Sequence, residues 1–280
     1  MPVSGSLERM KWWIECRMLK RAAVVGLALA ALVWGPGCNT VPVTGRQQFN
    51  ILSEGEEMQL GLTSFDEMKK QVPISTDAAA NALVQRVGKR IAAVANNDMP
   101  NAQWEFVVFA SKEANAFCLP GGKVGVYTGI LPITKDEAGL ATVLGHEIAH
   151  AVARHGGERM SEAMLLQTGG SLLGLGLQAT DPRWQAVAQL AYGVGSQVGV
   201  QLPHSRKQES EADHIGLIYM AQAGYPPEAA VEFWKRFSAF NQQQGDNTPE
   251  FLRTHPLDET RIKQLEAWLP EARQRATQVR

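Results

Sequence analysis

Along most of the chain, apolar residues recur at helical spacing, and one short stretch breaks that rhythm. Ser53 and Glu56 form a capping-box pattern that opens a helix running to about Gln71. Asp77 to Ala95 reads as a second helix, with Leu83, Val87, Ile91 and Val94 on one face. The period then changes. Trp104 to Ala110 (WEFVVFA) reads as a strand, and Asn115 to Leu131 reads as a hairpin turning near Gly121-Gly122. Helical spacing returns from about Lys135 to His155 through Leu140, Val143 and Leu144. From Ser161 to Leu202 the chain is apolar and glycine-rich. Asp181, Pro182 and Arg183 interrupt it, so neither half reads as a membrane span, and two helices packed on the preceding one are expected, with a mobile lid as the alternative. Three further helices follow, over Ser205 to Tyr225, Pro226 to Phe240 and about Leu257 to Trp268. The pattern gives an α+β chain, mostly helical, with a small sheet directly before one helix.

The N-terminus breaks the pattern in another way. Lys20 and Arg21 precede a short apolar run from Ala22 to Trp34, which reads as a secretory signal with Met18 as its better start. The run ends at Cys38, as a bacterial lipoprotein signal does, although Gly35-Pro36-Gly37 departs from the usual triplet. The expected organisation is a signal over 1–37, a lipidated tether over 38–52, one domain over 53–270 and a tail over 271–280. Lipid on Cys38 would leave Cys118 alone and preclude an intramolecular disulfide. Across 280 residues the balance of 45% hydrophobic and 20% charged is that of a globular protein, and a net charge of −1 gives no support for nucleic-acid binding.

The returning helix carries the chemistry. In "LGHEIAHAVARHGG" (Leu144 to Gly157), His146 and His150 stand one turn apart and can reach one metal ion, while Glu147 is rotated by roughly 100°. Two imidazoles that hold Zn²⁺ beside a carboxylate that takes a proton from the attacking water make a hydrolase. A buried helix carrying these three groups needs a partner for them, and a metal supplies one. The competing reading is a chance pattern.

A catalytic zinc takes a third protein ligand. His155 lies five residues past His150, about 140° away on a continuous helix, and is expected at the surface or the helix end. The helix from Arg206 offers Glu209 and Asp213 on one face, Glu211 on roughly the opposite side, and His214 towards solvent. Of Glu209 and Asp213, one can bind zinc and the other can accept a hydrogen bond from a ligand histidine, fixing its tautomer.

Taken together, HExxH at 146–150, "RKQESEAD" at Arg206 to Asp213, the hairpin "NAF…PGGKVGVYTGIL" and "THPLDETRI" at Thr254 to Ile262 resemble metallopeptidase family forty-eight, over roughly residues 38–268. With the lipoprotein-like start and "GRQQFN", the chain is most similar to the family's small periplasmic lipoprotein branch. The resemblance implies a zincin-like fold, one Zn²⁺ per chain, Glu209 as third ligand and Asp213 as its partner. It also places His255 of the "THP" element near the active site. Pro256 holds His255 extended, so its side chain can be presented from a loop. There it can stabilise an oxyanion, bind zinc as a fourth, self-inhibiting ligand, or merely cap the last helix. Arg261 can pair with an acid such as Asp213 and hold that loop down. Asn115, Ala116 and Phe117 are the expected substrate-binding edge, gripping an extended backbone by strand addition.

The resulting expectation is a zinc metalloendopeptidase of a Gram-negative periplasm, lipid-anchored to the outer membrane because Asn39 is not the aspartate that retains lipoproteins inside. Its substrates would be misfolded or misassembled envelope proteins, with outer-membrane assembly machinery as a further partner. Two competitors differ in class. One is an assembly-factor lipoprotein with structural zinc, which would not need Glu147. The other is a hydrolase of a non-peptide amide such as a cell-wall bond.

Overall fold

The computed structural model describes residues 38–174, 205–243, 248–256 and 259–278. The chain divides into two compact units, residues 1–39 and 40–280, and the fold described here is that of the second. The expected signal segment, the end of the first expected helix after Ser161 and all of the second lie outside the described residues. Among the described residues, no helix is long and apolar enough to cross a membrane.

Two short strands, β1 (Cys38–Thr40) and β2 (Gln47–Phe49), precede α1 (Glu54–Gln71) and α2 (Ala78–Ala95). Both helices begin where their side chains cap them. Ser53 and Glu56 make a reciprocal capping box, and the Asp77 carboxylate accepts from the backbone N–H groups of Ala79 and Ala80. The sheet follows, with β3 (Glu105–Phe109), β4 (Ala116–Leu119) and β5 (Lys123–Tyr127) in the order β3-β5-β4. β5 pairs parallel with β3 and antiparallel with β4. The turn between β4 and β5 uses Gly121 and Gly122, both at φ +82°, where only glycine sits without strain. Alternation along the strands loads both faces of the sheet. Phe106, Val108, Val124 and Val126 join Val84, Val87 and Ile91 of α2 in the main core, while Phe109, Phe117, Leu119 and Tyr127 form a second cluster with Phe65 and Met68 of α1.

After a turn of 3₁₀ helix and α3 (Leu131–Thr134) come α4 (Glu137–Val152), α5 (His155–Gly174), α6 (Arg206–Gln222), α7 (Glu228–Gln243), α8 (Glu250–Thr254) and α9 (Glu259–Gln278). The motif helix α4 is buried on nearly every side, packed against α2, β4, α6 and α7. Its closest neighbour is α6. A Cβ on Gly145 would stand 2.8 Å from the carbonyl oxygen of Gly216, so the two helices cross backbone to backbone.

Three expectations are corrected here. The motif helix does not continue to His155. It ends near Ala153, and Arg154 turns left-handed (φ +53°) before α5 begins. That strained corner is held by the Arg154 guanidinium, which donates to both Glu57 carboxylate oxygens (2.9 and 3.2 Å) and to the Leu52 carbonyl (2.8 Å). The stretch expected as a tether is, from Thr40 on, part of the body. Val41 is buried in the main core, and Thr44 and Arg46 hydrogen-bond acids of α5 and α6. The expected tail over 271–280 is instead the end of α9, which runs through Pro270 to Gln278. Burial of Ala272 and packing of Ala276 against the core hold the helix together past the proline, which removes a backbone donor.

Candidate metal centre

Four side chains from three places in the fold meet at one point. His146 and His150 come from α4, Glu209 from the first turn of α6, and His255 from the residue that closes α8. His146 Nε2 lies 3.1 Å from His150 Nε2, 3.2 Å from His255 Nδ1 and 3.4 Å from the Glu209 carboxylate. Glu209 is in turn 3.0 Å from His255 Nδ1 and 3.3 Å from His150 Nε2. Zinc–nitrogen and zinc–oxygen bonds of about 2.0–2.1 Å place the corners of a tetrahedron about 3.3 Å apart. The donor set therefore fits a tetrahedral ion in both chemistry and spacing.

The surroundings favour a cation there. Burial opposes charge on His146, but the carboxylates of Asp213 and Glu209 outweigh it and raise the imidazole to about 9. Burial likewise pushes Glu209 up, yet His255, Arg261 and the two motif histidines hold it well below the usual carboxylate range. For His150, burial dominates and keeps the ring neutral, the form that ligates. For Glu147 desolvation is again the largest influence, and unlike at Glu209 it is not outweighed by the neighbouring cations, so its pKa is raised and it is a stronger base than an exposed glutamate. Its Oε1 lies 3.4 Å from His255 Nε2.

The residues around this cluster are also placed. His146 Nδ1 is 3.0 Å from Asp213 Oδ1. Arg261 grips Asp213 with two bonds of 2.7 and 2.8 Å, reaches Glu209 at 2.8 Å, and donates to the Pro256 carbonyl at 3.0 Å. It thus ties the His255 loop to α6, and its guanidinium stacks 4.3 Å over Trp234. β4 is an edge strand, and a cleft beside it is lined by Ala116, Phe117, Cys118, Glu147, His150 and His255. Asn115 is buried just before the strand; its side-chain oxygen accepts from the Ala116 N–H. His214 stands apart, paired with Glu271 at 2.8 Å and stacked on Trp268. The side chain of Cys38 lies outside the described residues.

Sequence reasoning missed Trp234, Glu211 and, above all, His155. Expected at the surface or the helix end, His155 stands at a helix end, as the first residue of α5, but is fully buried, with Nδ1 2.8 Å from His150 Nδ1 and Nε2 2.9 Å from Glu211 Oε2. The angular count that turned it away assumed a continuous helix. The corner falls at Arg154, and the glycines at 156 and 157 lie inside the next helix rather than at the end of the first. Glu211 faces away from Glu209, as expected, but into this second set of polar groups rather than into solvent. Burial pushes its carboxyl up, but hydrogen bonds from His155, Thr44 and Arg46 prevail and bring it down to about 2.

Comparison with known proteins decides the family. The profile of Peptidase family M48 matches residues 78–269. The chain belongs to that family. Its relatives include the mitochondrial metalloendopeptidase OMA1 of Schizosaccharomyces pombe, 38% identical over 83% of this chain and 66% of that protein. The human mitochondrial OMA1 is 32% identical over 84% of this chain and 45% of its own length. The beta-barrel assembly-enhancing protease of Escherichia coli is 28% identical over 94% of this chain and 54% of that protein. The chain thus spans about half to two thirds of these relatives, and what it carries is a mostly helical, zincin-like metalloendopeptidase domain. The expected Gram-negative periplasmic location is corrected by the same comparison: relatives at 32–38% identity in fungi, plants and animals are named as mitochondrial enzymes. The signal-like N-terminus that suggested it is a compositional pattern that export and organelle-targeting segments share in part.

Proposed function

We propose that the protein is a zinc-dependent endopeptidase acting on unfolded or misassembled polypeptides. The convergence of His146, His150, Glu209 and His255 at tetrahedral spacing, with Glu147 beside them, carries this reading. His146, His150 and Glu209 would hold the ion, one per chain. Bound there, zinc supplies Lewis-acid polarisation of the scissile carbonyl and makes water acidic enough to attack near neutral pH. Glu147 takes the proton of the attacking water on its carboxylate and returns it to the leaving amine, a role suited to its buried, more basic carboxyl. Asp213 fixes His146 with Nδ1 protonated and Nε2 free to ligate, and Arg261 holds Asp213 in place.

His255 presents Nδ1 to the ligand cluster rather than to the cleft, which supports the fourth-ligand role: a resting form in which it takes the corner that water needs. Substrate selection rests on the β4 edge. Ala116 and Phe117 line the cleft along that edge, where an extended backbone would be gripped by strand addition with little regard to its side chains.

The deciding experiment compares wild type, Glu147→Gln and Glu209→Ala on unfolded casein, with metal content measured in parallel. Cleavage by wild type, loss of cleavage with retained zinc in Glu147→Gln, and loss of zinc in Glu209→Ala are expected. Equal cleavage by wild type and Glu147→Gln would remove the general base. No cleavage by a zinc-loaded wild type and a zinc-loaded His255→Ala would favour an assembly factor. His255→Ala is expected to raise basal proteolysis; a drop of about 10²–10³-fold would instead make His255 an oxyanion donor.

A further inference from the structure

His150 differs from His146 in what stands behind it. If His150 ligates through Nε2, its Nδ1 carries the proton and must donate it. The partner 2.8 Å away is His155 Nδ1, which accepts only if His155 carries its own proton on Nε2. That nitrogen faces Glu211 Oε2 at 2.9 Å, an acceptor. One tautomer assignment therefore satisfies the whole chain from the ligand corner to the carboxylate. Glu211 is fixed in turn from the N-terminal arm: Thr44 Oγ1 donates to Oε1 at 2.5 Å and Arg46 Nε donates to Oε2 at 2.6 Å. Arg46 also clamps Glu158 of α5 through both terminal nitrogens, at 2.5 and 2.9 Å, and Gln208 of α6 donates to the same carboxylate at 2.7 Å. The guanidinium thereby locks α5, which begins with His155, against α6, which carries Glu211 and Glu209.

We infer that His155, Glu211 and Arg46 are positioning residues that set the tautomer and orientation of His150, so the arm around Thr44–Arg46 completes the metal site. The inference rests on the metal-site reading above. It gives Arg46 a role although Arg46 precedes the matched family domain, which begins at residue 78; His155 and Glu211 lie within that domain. Regular geometry also makes the contribution specific. Thr44 and Arg46 reach Glu211 from a segment whose backbone is itself tied down by the Val41 N–H to Arg46 carbonyl bond and by burial of Val41.

The test measures Zn²⁺ affinity of the full chain by competition with a chromogenic chelator, together with the visible spectrum of the Co²⁺-loaded protein. His155→Phe keeps a ring but loses the acceptor, and should weaken Zn²⁺ binding about 10–100-fold and shift the Co²⁺ bands. His155→Gln, which can accept from His150 and donate to Glu211, should recover part of that loss. Arg46→Ala, at the outer end of the chain of contacts, should weaken binding less but in the same direction, with Arg46→Lys between it and wild type. If His155→Phe does not fold, the Arg46 pair carries the test. Affinity and spectrum within about twofold of wild type in both His155→Phe and Arg46→Ala would overturn the inference. So would a loss of affinity that merely tracks lower thermal stability of the metal-free protein. A wild type that binds neither Zn²⁺ nor Co²⁺ would instead sink the metal-site reading, a distinguishable failure.

Discussion

The two motif histidines sit one turn apart on the same helix, yet they are supported in different ways. His146 meets a carboxylate directly, Asp213 at 3.0 Å, and Arg261 of the last helix clamps that carboxylate. His150 reaches its carboxylate, Glu211, through an intervening His155, and Arg46 of the N-terminal arm clamps that one. Each ligand is thus backed by an acid and an arginine, from opposite ends of the chain. The direct arm is almost fully dry: the side chains of His146, Asp213 and Arg261 are 2%, 1% and 4% exposed. In the indirect arm Arg46 keeps 14% of its side chain in water. A short dry support is strong and unforgiving, whereas a longer, wetter one can be altered without collapse.

The comparison breaks first at Arg261. Arg261→Ala leaves Asp213 and Glu209 buried without their cation, and truncating one partner of a buried ion pair costs about 3–5 kcal/mol. Urea unfolding should show that loss, and a change under about 1 kcal/mol would mean that the direct arm is not the stronger one. The next effect in size lies where the arms share a scaffold. Gly145→Ala puts a methyl group 2.8 Å from the Gly216 carbonyl oxygen, which is backbone and cannot swing away. The helices must separate, at a cost of about 1–3 kcal/mol, and both histidines move relative to Glu209, so zinc affinity should fall with stability. Unchanged affinity would show that the crossing does not position the ligands. Ser53→Ala serves as a remote reference: losing the capping box of α1 should cost about 1 kcal/mol and leave zinc affinity untouched. The smallest effect is the most discriminating. In the metal-free protein, Arg46→Ala and Arg261→Ala should combine to within about 0.5 kcal/mol of their sum, because the two guanidiniums hold different carboxylates, Glu158 and Glu211 against Asp213 and Glu209. A larger coupling would show that the arms communicate without a metal.

The same contrast explains what could be read in the sequence. The direct arm follows regular spacing: His146 and His150, and Glu209 and Asp213, are i,i+4 pairs on unbroken helices, and an HExxH helix with two acids on a second helix points to such a site. Helix starts were equally legible wherever a side chain makes the cap, as at Ser53, Asp77 and Ser205. The indirect arm was hidden because it turns through Arg154, a non-glycine residue in a left-handed conformation that no local pattern announces. Its far end was hidden because Arg46 lies 165 residues from Glu211, in a stretch whose polarity suggested a tether. The last helix was underestimated for a related reason: Pro270 breaks local helical preference, and only burial of Ala272 overrides it.

The glycine crossing of α4 and α6 has a consequence for entropy. Gly145 and Gly216 touch through main-chain atoms, one residue before His146 and three after Asp213. Neither contact partner has a rotamer to lose. The relative placement of the two ligand-bearing helices is therefore settled when the chain folds, before any ion arrives. Binding an ion then need not order that part of the scaffold, a term that would otherwise be subtracted from affinity at about 0.5–1.5 kcal/mol for each flexible side chain immobilised.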